Sequence, residues 1–169
     1  YARVGDAKAA HTNADAAIAA GATSSVAHTG KGDAFTASGQ AAEAVASYRK
    51  AIELDPKNVT AQVGLVYALI ATSKAAEARP IALKATEMDK SSGPAFAALG
   101  YSISAEKKFD GNDPSWSDAI AQAQQGVFLA PKNPQVQVVV AKLFEARGNY
   151  DQAQVAYLAA LAADPGYTP

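Results

Sequence analysis

The chain has 169 residues, 15 of them basic and 16 acidic, for a net charge of −1, and it has no cysteine. Without a field of one sign it has little to hold a phosphate backbone, which argues against nucleic acid as a partner. Without a thiol it has no disulfide, thiolate nucleophile or cysteine-based metal site.

Hydrophobic residues reach 49%, but alanine dominates them and aromatics are only 8%. A core of that kind requires helices whose backbones approach closely. No run approaches the roughly 18 apolar residues that a membrane-spanning helix needs. A first residue that is tyrosine rather than methionine reads as processing or trimming, through a removed signal peptide or a missing upstream domain. The lack of cysteine suits an oxidising compartment without requiring one. The compartment stays open, with a lean towards an extracytoplasmic (periplasmic or extracellular) one.

In chain order, Gly5 to Ala20 reads as a helix with Ala10, Ala14, Ala17 and Ile18 on one face, followed by the loop-like Gly21-Ala22-Thr23-Ser24-Ser25. Residues 1–24 are thus a packing helix and loop. Four segments in phase follow. Residues 25–58 carry Gly32 and Phe35, then Ala44, Tyr48, Ala51 and Pro56. Residues 59–92 carry Leu65 and Leu69, with Val66 for the glycine, Ala82 for the aromatic and Lys90 for the proline. Residues 93–133 carry Phe96, Leu99, Gly100 and Ile103, an insertion near 107–115, and Pro131. Residues 134–169 carry Val140, Ala141, Phe144, Ala153, Tyr157, Ala160, Pro165 and a short tail. Positions 56, 90, 131 and 165 mark the recurrence. The first and last steps between them are equal, and the middle one is longer by the insertion.

Local chemistry agrees with helical pairs. The prolines stop a helix, because proline lacks the interior N–H and restricts the residue before it. Gly39 and Gly148 stand where positive φ turns the chain. Asp113-Pro114 reads as an N-cap with proline in the first turn, and Pro80 should shift the start of its helix or kink it.

These residues, recurring at a period of about 34 residues, resemble the tetratricopeptide repeat family over about 25–167. The resemblance implies an all-α fold: a right-handed α-solenoid of antiparallel helix pairs, A then B, about nine helices in all, forming a single solenoid domain. It also implies a concave wall of helix A side chains that contacts a ligand peptide. By phase that wall comprises Thr29, Asp33, Val63, Tyr67, Ile70 and Ala97, then Tyr101, Ser104, Val138, Lys142 and Glu145. Family members that grip a C-terminal carboxylate use lysine, arginine and asparagine there. Thr29, Val63 and Ala97 stand in those places here, so that clamp is missing. The mildly apolar strip with Tyr67 and Tyr101 suits an amphipathic helix or an extended apolar segment.

Nothing in the sequence assembles a catalytic, cofactor or metal site. His11 and His28, the two histidines, have no acidic or nucleophilic residue at triad spacing. Gly30-Lys31-Gly32 lacks the rest of a phosphate loop. Phe109-Asp110-Gly111-Asn112-Asp113 opens like a calcium loop, but Ala121 stands where the bidentate glutamate belongs, which leaves a polar turn. Trp116 and Tyr150 share one phase, three residues before Ala119 and Ala153, and are expected to pack between helices.

The ends carry the functional expectation. A solenoid normally closes with a helix polar on its outer face. The last helix, Val155 to Ala163, has no charge on any face, and Ala14 to Ala22 is nearly as uncharged around Ile18. An apolar helix is expected to be buried, so Ile18, Val155, Leu158 and Leu161 form the expected end interface. Non-identical ends that meet head to tail give a ring or a filament. A separate partner, or a further helix of a longer chain, would cover the same face. The expected function is a non-catalytic protein-interaction scaffold, self-assembling through its terminal helices into an oligomer or filament. The alternative is a monomeric adaptor in secretion or envelope assembly that binds an apolar segment in its groove. The expected partner is protein, self or other, with no cofactor.

Overall fold

The computed structural model describes residues 4–19, 24–106 and 113–166, with side chains in the first stretch described only at position 9 and from 12 to 19. The regular elements among these residues are helices: α1 (Val4–Ala19), α2 (Ser25–Ala37), α3 (Ala41–Leu54), α4 (Val59–Ala71), α5 (Ala75–Met88), α6 (Gly93–Glu106), α7 (Ser115–Leu129), α8 (Pro134–Ala146) and α9 (Tyr150–Ala163). They form two compact units, Tyr1–Ile81 and Ala82–Pro169, with the boundary inside α5. Most of the expected calcium-like turn, residues 109–112, lies outside the described residues.

In the first unit α1 packs on α2, α2 on α3 and α4, and α3 on α4. Its largest fully buried side chain is Tyr48, 2% exposed. The ring fits because two neighbours have no side chain: a Cβ at Gly32 or Gly64 would come to 2.6 or 2.5 Å of it. In the second unit α6 packs on α7 and α8, α7 on α8, and α8 on α9. In the α6–α7 crossing glycines bring the backbones themselves together. There Gly93 and Gly100 approach α7 so closely that a Cβ on either would meet the backbone of Gly126 or Ala119. Interiors are close-packed, so an alanine-rich sequence reaches a dense core by bringing helix axes together.

Sequence signals at the helix ends act as expected, with informative exceptions. Asn58 and Asn133 cap α4 and α8, each accepting a backbone N–H on its side-chain oxygen, which satisfies donors that the helix leaves unpaired. Gln62 and Gln137 donate from their side-chain amides to the carbonyls of Pro56 and Pro131, at 2.8 and 3.0 Å. This ties each proline turn to the helix after it. The Asp113 carboxylate accepts the Ser115 N–H at 2.8 Å, while the helix is counted from Ser115 with Pro114 just outside it. Pro80 does not displace the start of α5, which begins at Ala75 and runs through the proline. Its missing N–H forfeits one bond, to the carbonyl four residues back on the exposed first turn.

The α4–α5 turn reveals a position that the glycine pattern concealed. Gly39 and Gly148 end α2 and α8 with φ of 73° and 83°, and Ser73 holds the corresponding place after α4 with φ 61°. All three turns close with the same bond: the N–H of Gln40, Lys74 or Asn149 donates to the carbonyl of Phe35, Leu69 or Phe144 at 2.8–2.9 Å. An L-residue with a Cβ is disfavoured there, whereas glycine is not. Ser73→Gly is therefore expected to stabilise the protein by about 1 kcal/mol. Urea unfolding checks this; an unchanged or lower midpoint would contradict it.

Candidate protein-docking faces

In the first unit, Val63, Tyr67 and Ile70 share α4. Tyr67 and Ile70 are half-buried, and Val63 is buried at 6%. In the second, Tyr101 and Ser104 on α6 are half-buried, Val138 on α8 is buried, and Lys142 and Glu145 on α8 are exposed. Val63 and Val138, expected on the exposed wall, therefore face packing. The reason is general to this chain: Thr29, Val63, Ala97 and Val138 hold one phase of helix A, and all four are buried. Of the residues expected on the wall, Asp33, Tyr67 and Ile70 in one unit, and Tyr101, Ser104, Lys142 and Glu145 in the other, are exposed or half-buried.

Sequence reading missed a phenol–carboxylate pair in each unit. The Tyr48 hydroxyl donates to Asp33 at 2.6 Å, and the Tyr157 hydroxyl donates to Glu145 at 2.8 Å. In both, the helix B tyrosine reaches across to a carboxylate on its own helix A. The spacing of Tyr48 and Tyr157 marks their phase but not the partner, because Asp33 and Glu145 lie at different positions of α2 and α8. Desolvation and the Glu145 carboxylate push the Tyr157 phenol up to about 12 from 10.0; burial also raises Tyr101.

The sign follows from which form donates the bond. The neutral phenol donates, so the stability that this pair adds is complete below pH 10 and is lost as pH rises through about 12. Melting curves over that window should show a steeper loss for the wild type than for Tyr157→Phe. Parallel curves would remove the pair from the account.

The far end of the second unit is apolar. Phe128, Val155, Leu158 and Leu161 are 78, 68, 57 and 45% exposed, and from Ala153 to Ala163 the helix α9 has no charged residue. Val155 belongs to a groove of about 560 Å³, with Phe128 of α7 on one bank and Val140 and Phe144 of α8 among its lining. Leu158 and Leu161 lie outside that lining.

The residues expected at the ends do not all stand alike. Ile18 is half-buried on α1, the helix that packs on α2. It stands one repeat before Ile52 of α3 and shares its phase. Tyr150, expected to pack like Trp116, is 70% exposed where Trp116 is 4%. The reason is a missing neighbour: α7 packs against both α6 and α8, whereas α9 packs against α8 alone among the described residues. Trp116 itself packs in the core.

Among the described residues no group of histidine or acidic side chains could hold a metal ion, and no helix is long and apolar enough to cross a membrane.

Residues 32–69 match a family model described as TPR repeat, and residues 115–168 match a second described as tetratricopeptide repeat. Solved structures with similar folds include a thermophilic TPR protein of Thermus thermophilus, with a TM-score of 0.79 at 17% identity over 96% of this chain and 85% of that one. MamA has a TM-score of 0.63 at 17% identity, over 95% and 90% of the two chains. YrrB, described as a TPR protein with an unusual peptide-binding site, has 0.57 at 17%, over 97% and 81%. At these identities the likeness shows the fold: an all-α, tetratricopeptide-like solenoid of antiparallel helix pairs. Among curated proteins no sequence matches.

Proposed function

We infer that this chain, which belongs to the tetratricopeptide repeat family, is a non-catalytic scaffold that binds protein chains and associates with its own copies, head to tail, through α9. One observation carries the reading. At the phase of Leu158, α3 has Arg49 and α7 has Gln124, both exposed and polar. Helix α5 has exposed Leu83 there, but buried Thr86 follows it one turn on. On α9 the same exposed place is leucine, and exposed Leu161 extends it by a further turn. Burying that surface is favourable at about 25 cal/mol per Å², and a contiguous apolar patch of this kind marks an interface.

Light scattering over a concentration series tests the reading: the mass should rise with concentration. A mass fixed at the monomer value throughout would overturn self-association.

A second reading, a monomeric adaptor in secretion or envelope assembly, is supported by the half-buried Tyr67 and Tyr101 on the helix A faces. The peptide-binding site attributed to YrrB points the same way. On that reading Tyr67→Ala with Tyr101→Ala removes capture of an apolar peptide in a pull-down; retention of the peptide would dismiss it.

A further inference from the structure

The helix that precedes the first pair is itself a helix B. Ala10, Ala14, Ala17 and Ile18 of α1 stand one repeat before Ala44, Tyr48, Ala51 and Ile52 of α3, and the last helix restates the phase with Ala153, Tyr157, Ala160 and Leu161. The two ends therefore present the same type of helix. Two B helices meeting end to end would leave one helix A missing between them. Head-to-tail association that continues the repeat must instead seat α9 of one molecule on a helix A of the next. The helix A at the start of the chain is α2, and α1 already packs on it.

Among the described residues, the α1–α2 contact leaves one position open. In the next repeat the corresponding contact is made by Tyr48 of α3 against Gly64 of α4, where a Cβ on the glycine would come within 2.5 Å of the ring. Gly30 holds the Gly64 place in α2, one repeat earlier, and Ala14 holds the Tyr48 place in α1. A Cβ built on Gly30 meets nothing within 4 Å among the described residues. The ring that would fill this space is absent from α1 and present in α9, as Tyr157.

Tyr157 is prepared for that role. Its hydroxyl is held by Glu145 of its own helix A, as Tyr48 is held by Asp33, yet it is half-buried where Tyr48 is 2% exposed. Helices α6 and α8 have Ala98 and Val139 at the Gly64 place, so Gly30 is the remaining glycine that can receive a tyrosine.

We propose that α9 docks on α2 of a second copy of this chain, in the seat that α1 holds, with Tyr157 set over Gly30 as Tyr48 is set over Gly64. Leu161 then replaces Ile18, and Leu158 replaces Asp15, whose carboxylate is paired with Lys31 of α2 at 2.7 Å. That pair is solvent-exposed and holds α1 weakly. Helix α1 is a cap, and its displacement opens the molecule to the next copy. The occupant is the chain itself because the Tyr–Gly pairing that the contact requires is already built within the first unit.

This inference rests on the reading of α9 as the self-association face, and two full-length variants separate them. Gly30→Ala adds a Cβ that meets nothing among the described residues, so it should leave the melting temperature unchanged or higher, yet it would crowd the Tyr157 ring as a Cβ at Gly64 would crowd Tyr48 and should weaken association about tenfold or more. Joining Asp15→Cys to Lys31→Cys with a short bis-maleimide fixes α1 on α2 and should hold the protein monomeric at concentrations where the unlinked variant associates. If Gly30→Ala associates like the wild type, or the linked protein still assembles, the exchange is overturned while α9 can still be the interface. If Leu158→Glu with Leu161→Glu also leaves association intact, the reading of α9 falls with it.

Discussion

Gly100→Val is expected to destabilise the protein more than any other single change considered, by about 3 kcal/mol, because it overpacks a crossing that has no side chain to move. A Cβ at Gly100 would run into the carbonyl oxygen of Ala119 and lie 2.9 Å from the Ala123 amide nitrogen. Rotamer changes relieve crowding by side chains but cannot relieve crowding by a partner's backbone, so α6 and α7 would have to separate. Separation would also lose the mirrored contact, where a Cβ at Gly126 would come within 2.7 Å of the Gly93 carbonyl oxygen. The melting temperature should fall by about 10 °C. A loss within a degree or two would show that the α6–α7 approach is looser than the structure has it. Gly30→Ala is the matched control, since its Cβ meets nothing among the described residues; there glycine in a helix interior costs about 0.5–1 kcal/mol relative to alanine, so a small gain is expected.

Leu158→Glu with Leu161→Glu should abolish concentration-dependent association while leaving helical content and melting temperature near the wild-type values. Both side chains are about half exposed, at 57 and 45%, so two carboxylates there replace solvent-facing apolar surface and create no buried charge. Surface substitutions of this kind usually change folding stability by no more than about 0.5 kcal/mol each. In an assembled interface the same carboxylates would be desolvated without partners, a cost of several kcal/mol. Sedimentation of the double variant beside the wild type reads the difference. Association that survives it would place the contact off α9.

The fold was legible because its period is carried by residue types with few substitutes. The alanine, glycine and proline positions recur from one repeat to the next, and each marks a helix crossing or a helix end. The exceptions have physical causes. Ser73 hides a turn because an L-residue can occupy the left-handed region at a cost, so the glycine pattern skips it. Tyr150 shares a phase with Trp116 but not a neighbour, and phase alone does not count neighbours.

The exposure of the candidate residues was legible in part. Phase placed Tyr67 and Tyr101 on half-buried surface, yet it could not show that the position of Val63 and Val138 turns inward throughout the chain. The pairing of Tyr48 with two glycines required coordinates, because Gly32 and Gly64 lie on different helices. Once that pairing is known, the matching of Tyr157 to Gly30 can be read from the sequence by counting.

Hydrogen exchange of the wild-type protein at low and high concentration tests the central claim most directly. Amides of α9, residues 150–163, should exchange more slowly as concentration rises, while those of α6 and α7, paired within the molecule, stay unchanged. Exchange in α9 that ignores concentration would contradict the assignment of that helix as the protein's docking face.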